Sequence, residues 1–204
     1  QRRGGPGVAL HANAGMRQGL GAHAYPAQRA VLFETDLDAA TGSFTNLMAS
    51  MGESIAPELK SITEWIANIN GVAFYDDSKG TNVGASLAAI EGLGQKIVLI
   101  AGGDGKGQDF APMRDAIKAH VVRVCLIGKD AALIEQAWQD CGVPMQVFDD
   151  LKTATLAAAQ AAQAGQAVLL SPACASLDMF KNYAHRAQVF VDAVHEWAND
   201  MGQV

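Results

Sequence analysis

The sequence predicts an α/β fold in which a mostly parallel sheet is covered by helices on both faces. From about Gly71 onward, short runs rich in Val, Ile or Leu alternate with helical patterns. Such alternation is typical of a parallel sheet, because each helix returns the chain to the start of the next strand. A turn signal ahead of these runs adds a β-hairpin at the start of the sheet. The predicted arrangement is Rossmann-like.

The hairpin is predicted from Asn70-Gly71, which lies between two apolar runs. This dipeptide favours a type I′ turn, the connection that matches the twist of two antiparallel strands. We therefore predict a hairpin over residues 62–77. One alternative stays open, since residues 53–69 also carry a helical stripe of apolar side chains, namely Ile55, Leu59, Ile62, Trp65, Ile66 and Ile69.

The predicted strands are compact, apolar and bounded by Gly, Asp or Pro. They cover residues 72–77, 96–103, 121–128, 145–149 and 167–173. Between and after them, apolar side chains recur at helical spacing. These patterns predict helices over residues 82–93, 131–139, 151–164 and 186–199.

Residues 1–60 do not share this alternation. Residues 1–30 are rich in Gly, Ala, Arg, Gln and His and show little periodicity. Such a composition favours a poorly ordered segment. We predict that residues 1–60 form a disordered or aberrant segment and that the folded domain spans residues 61–204.

Composition argues against several classes of function. The net charge of −6 disfavours a general nucleic-acid binder, whose affinity depends on Lys and Arg meeting phosphates. The chain lacks a run of about eighteen apolar residues, so we expect no membrane partner. The cysteines Cys125, Cys141 and Cys174 are odd in number and follow no metal-ligand spacing, which is typical of a reduced, cytoplasmic chain without a bound metal.

The first loop, residues 76–82 (DDSKGTN), joins a predicted strand to a predicted helix. Thr81 or Asn82 can cap this helix, whose free amides and dipole attract anions. Lys79 adds a positive charge, and Asp77 can accept hydrogen bonds from hydroxyl groups. A capped turn with an exposed lysine is the structural alternative.

The second loop, residues 102–107 (GGDGKG), directly follows the run KIVLIA. Its glycines let backbone amides approach an anion closely, and Lys106 supplies charge. The spacing of a Walker A phosphate loop is absent from it. The alternative is a flexible turn.

The third loop, residues 171–178 (SPACASLD), follows the run AVLL. Its small residues permit the close approach of a ligand, and Ser176 or its amide can bind a carboxylate. Cys174 invites a nucleophile hypothesis, but the spacing implies no basic partner. We therefore prefer a small buried thiol at this position.

All three loops follow predicted strands of one sheet. Ligands of open parallel sheets bind at the carboxyl ends of the strands. Loops that bring Lys, Thr, Ser and glycine amides to that edge suit a doubly anionic ligand.

Three segments taken together carry a family resemblance: DSKGTNVGAS (77–86), GGDGKGQDF (102–110) and LLSPACASLDMFKNY (169–183). In order and spacing they resemble the C-terminal, amino-acid-binding domain of the Mur ligase family, in the members that add D-glutamate to UDP-N-acetylmuramoyl-L-alanine. The resemblance covers roughly residues 62–200. It implies an ATP-dependent acid–amino-acid ligase that acts in peptidoglycan synthesis and hence in cell-wall biogenesis, cell shape and cell division.

The resemblance also implies how D-glutamate is held. ATP and Mg²⁺ serve to phosphorylate the carboxylate of the UDP-linked substrate. The amine of D-glutamate then attacks the acyl phosphate, and phosphate leaves. Thr81 and Lys106 would hold one carboxylate of D-glutamate, and Ser176 with Leu177 the other. Tyr183, at a position where the family usually has Phe, would assist at the second carboxylate through its backbone.

For the nucleotide, the resemblance implies two residues of the first loop. Asp77 would contact the ATP ribose, and Lys79 would lie between the nucleotide and D-glutamate as the catalytic lysine. Asp76 replaces the usual Asn, which puts an extra negative charge beside an anionic site. We expect the charge of Asp76 to weaken binding of the anionic ligand modestly.

The resemblance implies a three-domain enzyme, of which this chain carries the last domain. We find neither a GTNGK-type phosphate loop nor a UDP-binding domain in the sequence. We therefore expect the chain to need a central ATPase domain and an N-terminal domain as partners, and to be inactive alone. The competing hypothesis is a stand-alone Rossmann-like module that binds an amino acid or a nucleotide. A dinucleotide-dependent oxidoreductase is disfavoured, because no strand is followed by GxGxxG.

Overall fold

The computed structural model of the protein describes residues 64–202. The prediction for residues 1–60 lies outside this range. The alternative helical stripe over residues 53–69 overlaps the described part of the chain only at residues 64–69. Those residues form a strand, so the helical interpretation is wrong there.

Within the described range, six strands form one sheet: β1 (Glu64–Ile69), β2 (Val72–Asp76), β3 (Ile97–Gly102), β4 (Val121–Ile127), β5 (Met145–Phe148) and β6 (Ala167–Leu170). Their order across the sheet is β1-β2-β6-β3-β4-β5. The β1–β2 pair is antiparallel, and every other neighbouring pair is parallel. The predicted α/β fold with a mostly parallel sheet is therefore confirmed.

The hairpin between β1 and β2 turns at Asn70 and Gly71, as predicted. Their φ angles are 53° and 81°. A type I′ turn requires positive φ at both central residues, and Asn and Gly are the residues that adopt it most readily. This local chemistry fixes the antiparallel edge of the sheet.

The described residues contain five α-helices: α1 (Val83–Gly92), α2 (Arg114–His120), α3 (Ala131–Trp138), α4 (Leu151–Ala161) and α5 (Tyr183–Asp200). All but α2 were expected from the sequence. This helix follows a 3₁₀ turn at Ala111–Met113 and buries only Ala116 and Ile117 among its seven residues. Two buried side chains on so short a helix leave no periodic signal to detect.

The helices cover both faces of the sheet, as predicted. Alternate residues of β3 face opposite sides. Leu99 packs in a cluster with α1, α2 and α3, whereas Ile100 packs in a second cluster with α4 and α5. No helix within residues 64–202 has the length and apolar character needed to cross a membrane.

Candidate functional site

The three loops singled out from the sequence lie side by side at one edge of the sheet. β6 pairs with both β2 and β3, so that Leu170 lies in register with Asp76 on one side and Ile100 on the other. The first loop follows β2, the third follows β6 and the second follows β3. The loops that carry Thr81, Ser176 and Lys106 therefore leave the same edge of the sheet from three adjacent strands.

Buried hydroxyl groups connect the first loop to the third. The Ser171 hydroxyl donates to Asp77 Oδ2 at 2.6 Å and lies 2.7 Å from the Ser86 hydroxyl oxygen. The Ala173 amide donates to that Ser86 oxygen at 2.9 Å. Because Ser86 belongs to α1, the network ties the helix after the first loop to the chain that leaves β6.

Asp77 is a buried carboxylate in an unusual electrostatic state. The pKa of Asp77 is raised from 3.8 to about 7, mainly by burial, and the neighbouring charge of Asp76 acts in the same direction. The hydrogen bonds from Ser171 and Gly80 and the charge of Arg186 act in the opposite direction. Its second oxygen, Oδ1, is buried and has no hydrogen-bond partner within residues 64–202. Desolvation of the charged form therefore dominates at this site.

The second and third loops are joined by a short antiparallel bridge. The Asp104 amide donates to the Ala175 carbonyl at 3.0 Å, and the Ala175 amide donates back to Asp104 at 2.9 Å. Gly103 makes this approach possible, since its φ is 130° and a β-carbon there would overlap the Ala175 carbonyl oxygen. A side chain at Gly103 would push the two loops apart.

Gln108, which the sequence reasoning missed, links all three loops. Its Oε1 accepts a hydrogen bond from the Val83 amide at 3.0 Å, at the start of α1. Its Nε2 donates to the Gly105 carbonyl at 3.0 Å and to the Ala173 carbonyl at 3.3 Å. A single amide thus satisfies backbone groups beside or within each loop. The sequence gives no signal for this role, because Gln is common on protein surfaces.

A fourth loop, residues 128–130 after β4, also belongs to this edge. Asp130 Oδ2 accepts from the Gly105 amide at 2.7 Å, and Lys129 Nζ lies 3.3 Å from Asp104 Oδ1. The Lys129 amide donates to Asp178 Oδ2 at 2.9 Å. The sequence reasoning missed this loop, although its Gly-Lys-Asp after a predicted strand repeats the pattern used to find the second loop.

Arg186 is a further residue that the sequence reasoning missed. Although it is an arginine, it is fully buried, on α5. Its guanidinium donates to the Cys174 carbonyl at 3.1 Å and to the Ser78 carbonyl at 2.9 Å. Burial lowers the pKa of Arg186 to about 10, while Cys174 and the acidic residues Asp76, Asp178 and Asp77 favour its charged form. The group remains a cation at neutral pH.

A cavity of about 290 Å³ lies between the first loop and α5. It brings together two residues singled out from the sequence, Lys79 and Tyr183. Its remaining lining comes from Asp76, Ser78, Ala184, Ala187, Gln188 and Val191. Thr81, Lys106 and Ser176 are not part of the lining, so the cavity covers only one side of the site.

The other candidate residues differ in how accessible they are. Lys106 is exposed, and its φ of 53° places its backbone in the left-handed region. Leu177 is 68% exposed and Tyr183 is 47% exposed, whereas Ser176 is only 4% exposed. Thr81 is half-buried. Leu177 and Tyr183 can therefore contact a ligand at the surface of the loops. Ser176 can contact only a ligand that enters between the loops.

Cys174 is buried among the loops as a small apolar side chain. Burial is the main reason that the pKa of its thiol is raised to about 12. The thiolate, which is the nucleophilic form, is therefore scarce at neutral pH. This supports the buried-thiol interpretation over the nucleophile hypothesis.

Several curated proteins are similar to the later part of this chain. A protein of Dechloromonas aromatica (strain RCB) named UDP-N-acetylmuramoylalanine--D-glutamate ligase is 60% identical over 131 residues, which are 64% of this chain and 29% of that protein. A protein of the same name from Bordetella avium (strain 197N) is 57% identical over 140 residues, covering 69% of this chain and 28% of its own length. The chain spans less than a third of the length of these relatives.

Among solved structures, the UDP-N-acetylmuramate-alanine ligase of Thermotoga maritima aligns with a TM-score of 0.45 at 15% identity, over 74% of this chain and 36% of that one. The family model described as Mur ligase, glutamate ligase domain matches residues 63–174, which is more than half of the chain. The match confirms the resemblance found in the three loops. The chain therefore belongs to the Mur ligase, glutamate ligase domain family.

Proposed function

We propose that this chain is the D-glutamate-receiving domain of an ATP-dependent ligase, which joins D-glutamate to UDP-N-acetylmuramoyl-L-alanine in peptidoglycan synthesis. The names of the relatives support this proposal, since both curated relatives described above are named UDP-N-acetylmuramoylalanine--D-glutamate ligase. The observation that carries it is the placement of the three loops at the carboxyl ends of adjacent strands. We place the ligase in the cytoplasm.

The task of the domain is positioning. Once the carboxylate of the UDP-linked substrate is activated, the amine of D-glutamate must be held at the acyl carbon, and fixing that geometry removes much of the entropic barrier. Two carboxylates at opposite ends of D-glutamate provide two anchors. Charge-assisted hydrogen bonds are the strongest contacts available to them.

We assign the first anchor to Thr81 and Lys106 and the second to Ser176 with Leu177. Lys106 is exposed at the tip of the second loop, so its ammonium is free to move toward a carboxylate. Ser176 lies next to the Asp104–Ala175 bridge, which ties the third loop to the second. The two anchors thus belong to loops with a fixed backbone relation.

Lys79 and Tyr183 form a second part of the proposed site. They line one cavity between the first loop and the start of α5. Asn182 caps this helix by accepting from the His185 amide at 2.8 Å, which leaves other amides of the first turn open to an anion. We assign Lys79 the catalytic position between nucleotide and D-glutamate, and Tyr183 a supporting contact to the second carboxylate.

Asp77 is the residue proposed to contact the ATP ribose. Its unpartnered Oδ1 is an acceptor suited to a hydroxyl donor. Its side chain is fully buried, however, so this contact requires the first loop to open. We therefore propose that nucleotide binding and a change in the first loop occur together.

We propose that the magnesium ion of the reaction is held outside the described residues. Within residues 64–202, no group of three or more His, Cys, Asp or Glu side chains is arranged to hold a metal ion. We propose that Mg²⁺ is held by a separate ATPase domain, and that this domain and a UDP-binding domain are partners of the chain. On this proposal the chain alone releases no phosphate from ATP when both acceptor and donor substrates are present, and phosphate release would refute it.

The site is tested by following backbone amide shifts of the chain by NMR during titration with D-glutamate. We expect millimolar binding, equivalent to about 4 kcal/mol, with shifts at Thr81, Lys106 and Ser176. Lys106→Ala should weaken the binding several-fold, roughly the loss of one charge-assisted contact. L-glutamate should bind more weakly than D-glutamate.

Lys118→Ala is the matched control, because Lys118 lies near the end of α2 at the opposite edge of the sheet. It should leave the titration unchanged. Shifts confined to residues away from the three loops would contradict the proposal. Micromolar binding of D-glutamate or of ATP by the chain alone would favour the stand-alone binding module instead.

A further inference from the structure

The strongest unassigned feature of the molecule is the buried guanidinium of Arg186. Arginine is almost never fully buried unless it is paired. Arg186 is fully buried, yet its two hydrogen bonds go to backbone carbonyl groups rather than to a carboxylate. No Asp or Glu within residues 64–202 forms a salt bridge with it. Burying such a charge is costly, so a role beyond charge pairing is needed to explain it.

The two carbonyl groups belong to different loops of the proposed site. Ser78, in the first loop, lies between Asp77 and Lys79, and it is 108 residues from Arg186. Cys174, in the third loop, is two positions before Ser176. The guanidinium therefore spans the gap between the loop that carries Thr81 and the loop that carries Ser176.

The planar fork of the side chain suits this task. Two nitrogen atoms of one rigid group each donate to a separate carbonyl, so the distance between the two carbonyls is held by covalent geometry. A lysine ammonium has donors on a single atom and a flexible stem. The surroundings of Arg186 favour its charged form, since Asp76, Asp77 and Asp178 all act to raise its pKa.

We propose that Arg186 is a positioning residue, which holds the first and third loops at the separation needed for a five-carbon dicarboxylate. It does not contact the ligand, since its side chain is buried behind the loops. This inference rests on the function proposed above as far as the identity of the ligand is concerned. The clamping of the two loops is independent of any ligand.

Amide hydrogen exchange in the full chain tests the clamp directly. The reporters are the amides of Gly80 in the first loop and Ala173 in the third, which donate to Asp77 O and Ser86 Oγ. The Leu99 amide in the core strand β3 is the reference. In Arg186→Met, we expect the exchange of both reporters to speed up about tenfold more than that of Leu99, as in a local opening.

Val194→Ala is the matched control. Val194 is buried on the same helix, in the core cluster beneath the sheet, and it touches no part of the loops through a hydrogen bond. It should speed up the exchange of the reporters by no more than that of the reference, because it lowers only the general stability and leaves the local opening of the loops unchanged. The loop-to-core ratio is the exchange rate of the reporter amides divided by that of the Leu99 amide. If this ratio in Arg186→Met equals the ratio in Val194→Ala, the proposal is overturned.

Arg186→Lys keeps the charge and removes the fork. We expect a loop-to-core ratio between those of the wild type and the Met variant. If Arg186→Met fails to fold, this variant decides, and a ratio equal to that of the wild type overturns the clamp.

A titration with D-glutamate then separates the clamp from the proposed function. If both hold, Arg186→Lys should weaken D-glutamate binding several-fold, whereas Val194→Ala should not. If the wild-type chain shows no response to D-glutamate at any of the three loops, the assigned ligand is wrong and the exchange result still stands. Unchanged binding in Arg186→Lys, beside a responsive wild type, would overturn the link between the clamp and the ligand.

Discussion

Ser171 and Asp77 lie 94 residues apart in the chain, and the Ser171 hydroxyl donates a hydrogen bond of 2.6 Å to Asp77 Oδ2. This is a contact between two residues that each follow a strand, β6 and β2, which are neighbours in the sheet. Within residues 64–202, Ser171 is the one side-chain hydrogen-bond donor to this carboxylate, whose other oxygen, Oδ1, has no hydrogen-bond partner there. The stability of the loops that follow β2 and β6 therefore depends strongly on the Ser171 hydroxyl group.

Replacing Ser171 with Ala should destabilise the fold. The variant leaves a buried carboxylate without its side-chain donor, which costs about 1–3 kcal/mol. Urea denaturation at pH 8, where Asp77 is largely ionised, would measure the loss in free energy of unfolding. Thr155→Val is the comparison, since Thr155 makes a buried hydrogen bond to the uncharged Leu151 carbonyl. A smaller loss in Ser171→Ala than in Thr155→Val would contradict the argument.

Asp77 should make the stability depend on pH. Its pKa is raised from 3.8 to about 7 in the folded chain, so the folded state binds a proton that the unfolded state has already released. The contribution to stability is full below pH 4 and is lost as the pH rises from about 4 to about 7. The loss is on the order of a few kcal/mol.

The measurement is the free energy of unfolding between pH 4 and pH 8 for the wild type and for Asp77→Asn. The Asn side chain does not titrate but can still accept from Ser171. We expect the free energy of unfolding to fall less steeply with pH over this window in Asp77→Asn than in the wild type. Parallel curves for the two proteins would show that another group is responsible.

Gly103→Ala should separate the second and third loops. The residue has a φ of 130°, and an added β-carbon would overlap the Ala175 carbonyl oxygen. Strain of this kind costs about 1–3 kcal/mol before any displacement of the loops. Gly142→Ala is the control, since Gly142 also has a positive φ of 70° but meets nothing within 4 Å. Chemical denaturation should show a clearly larger loss for Gly103→Ala, and equal losses would argue against the steric explanation.

Gln108→Ala should loosen three loops at once. The change removes one acceptor from the Val83 amide and one donor shared by the Gly105 and Ala173 carbonyls. We expect a loss of about 1–3 kcal/mol in thermal unfolding, together with amide shifts at Val83 and Gly105. The exposed Gln188, whose side chain donates to Asp192 on the same helix, is the matched control. A change at Gln188 that costs as much would refute the special role of Gln108.

The sequence by itself determined the fold class and the three loops that meet at the candidate site. Asn70-Gly71 turns the hairpin because of its own backbone preferences, and the strand–helix alternation follows from local periodicity. The three loops could be found because glycine, lysine and serine after an apolar run form a short, local pattern. The fourth loop, with Lys129 and Asp130, carried the same pattern and was within reach of the same reasoning.

The tertiary structure decided the order of the strands and the contacts between the loops. Nothing local states that β6 lies between β2 and β3, because this order depends on how the whole chain packs. That order places Ser171 against Asp77 and brings the carbonyls of Ser78 and Cys174 to Arg186. In the sequence Arg186 is one charged residue of an amphipathic helix, and only the burial of that helix against both loops distinguishes it. Short-range preferences set each element, whereas the burial of polar side chains depends on partners that are distant in the chain.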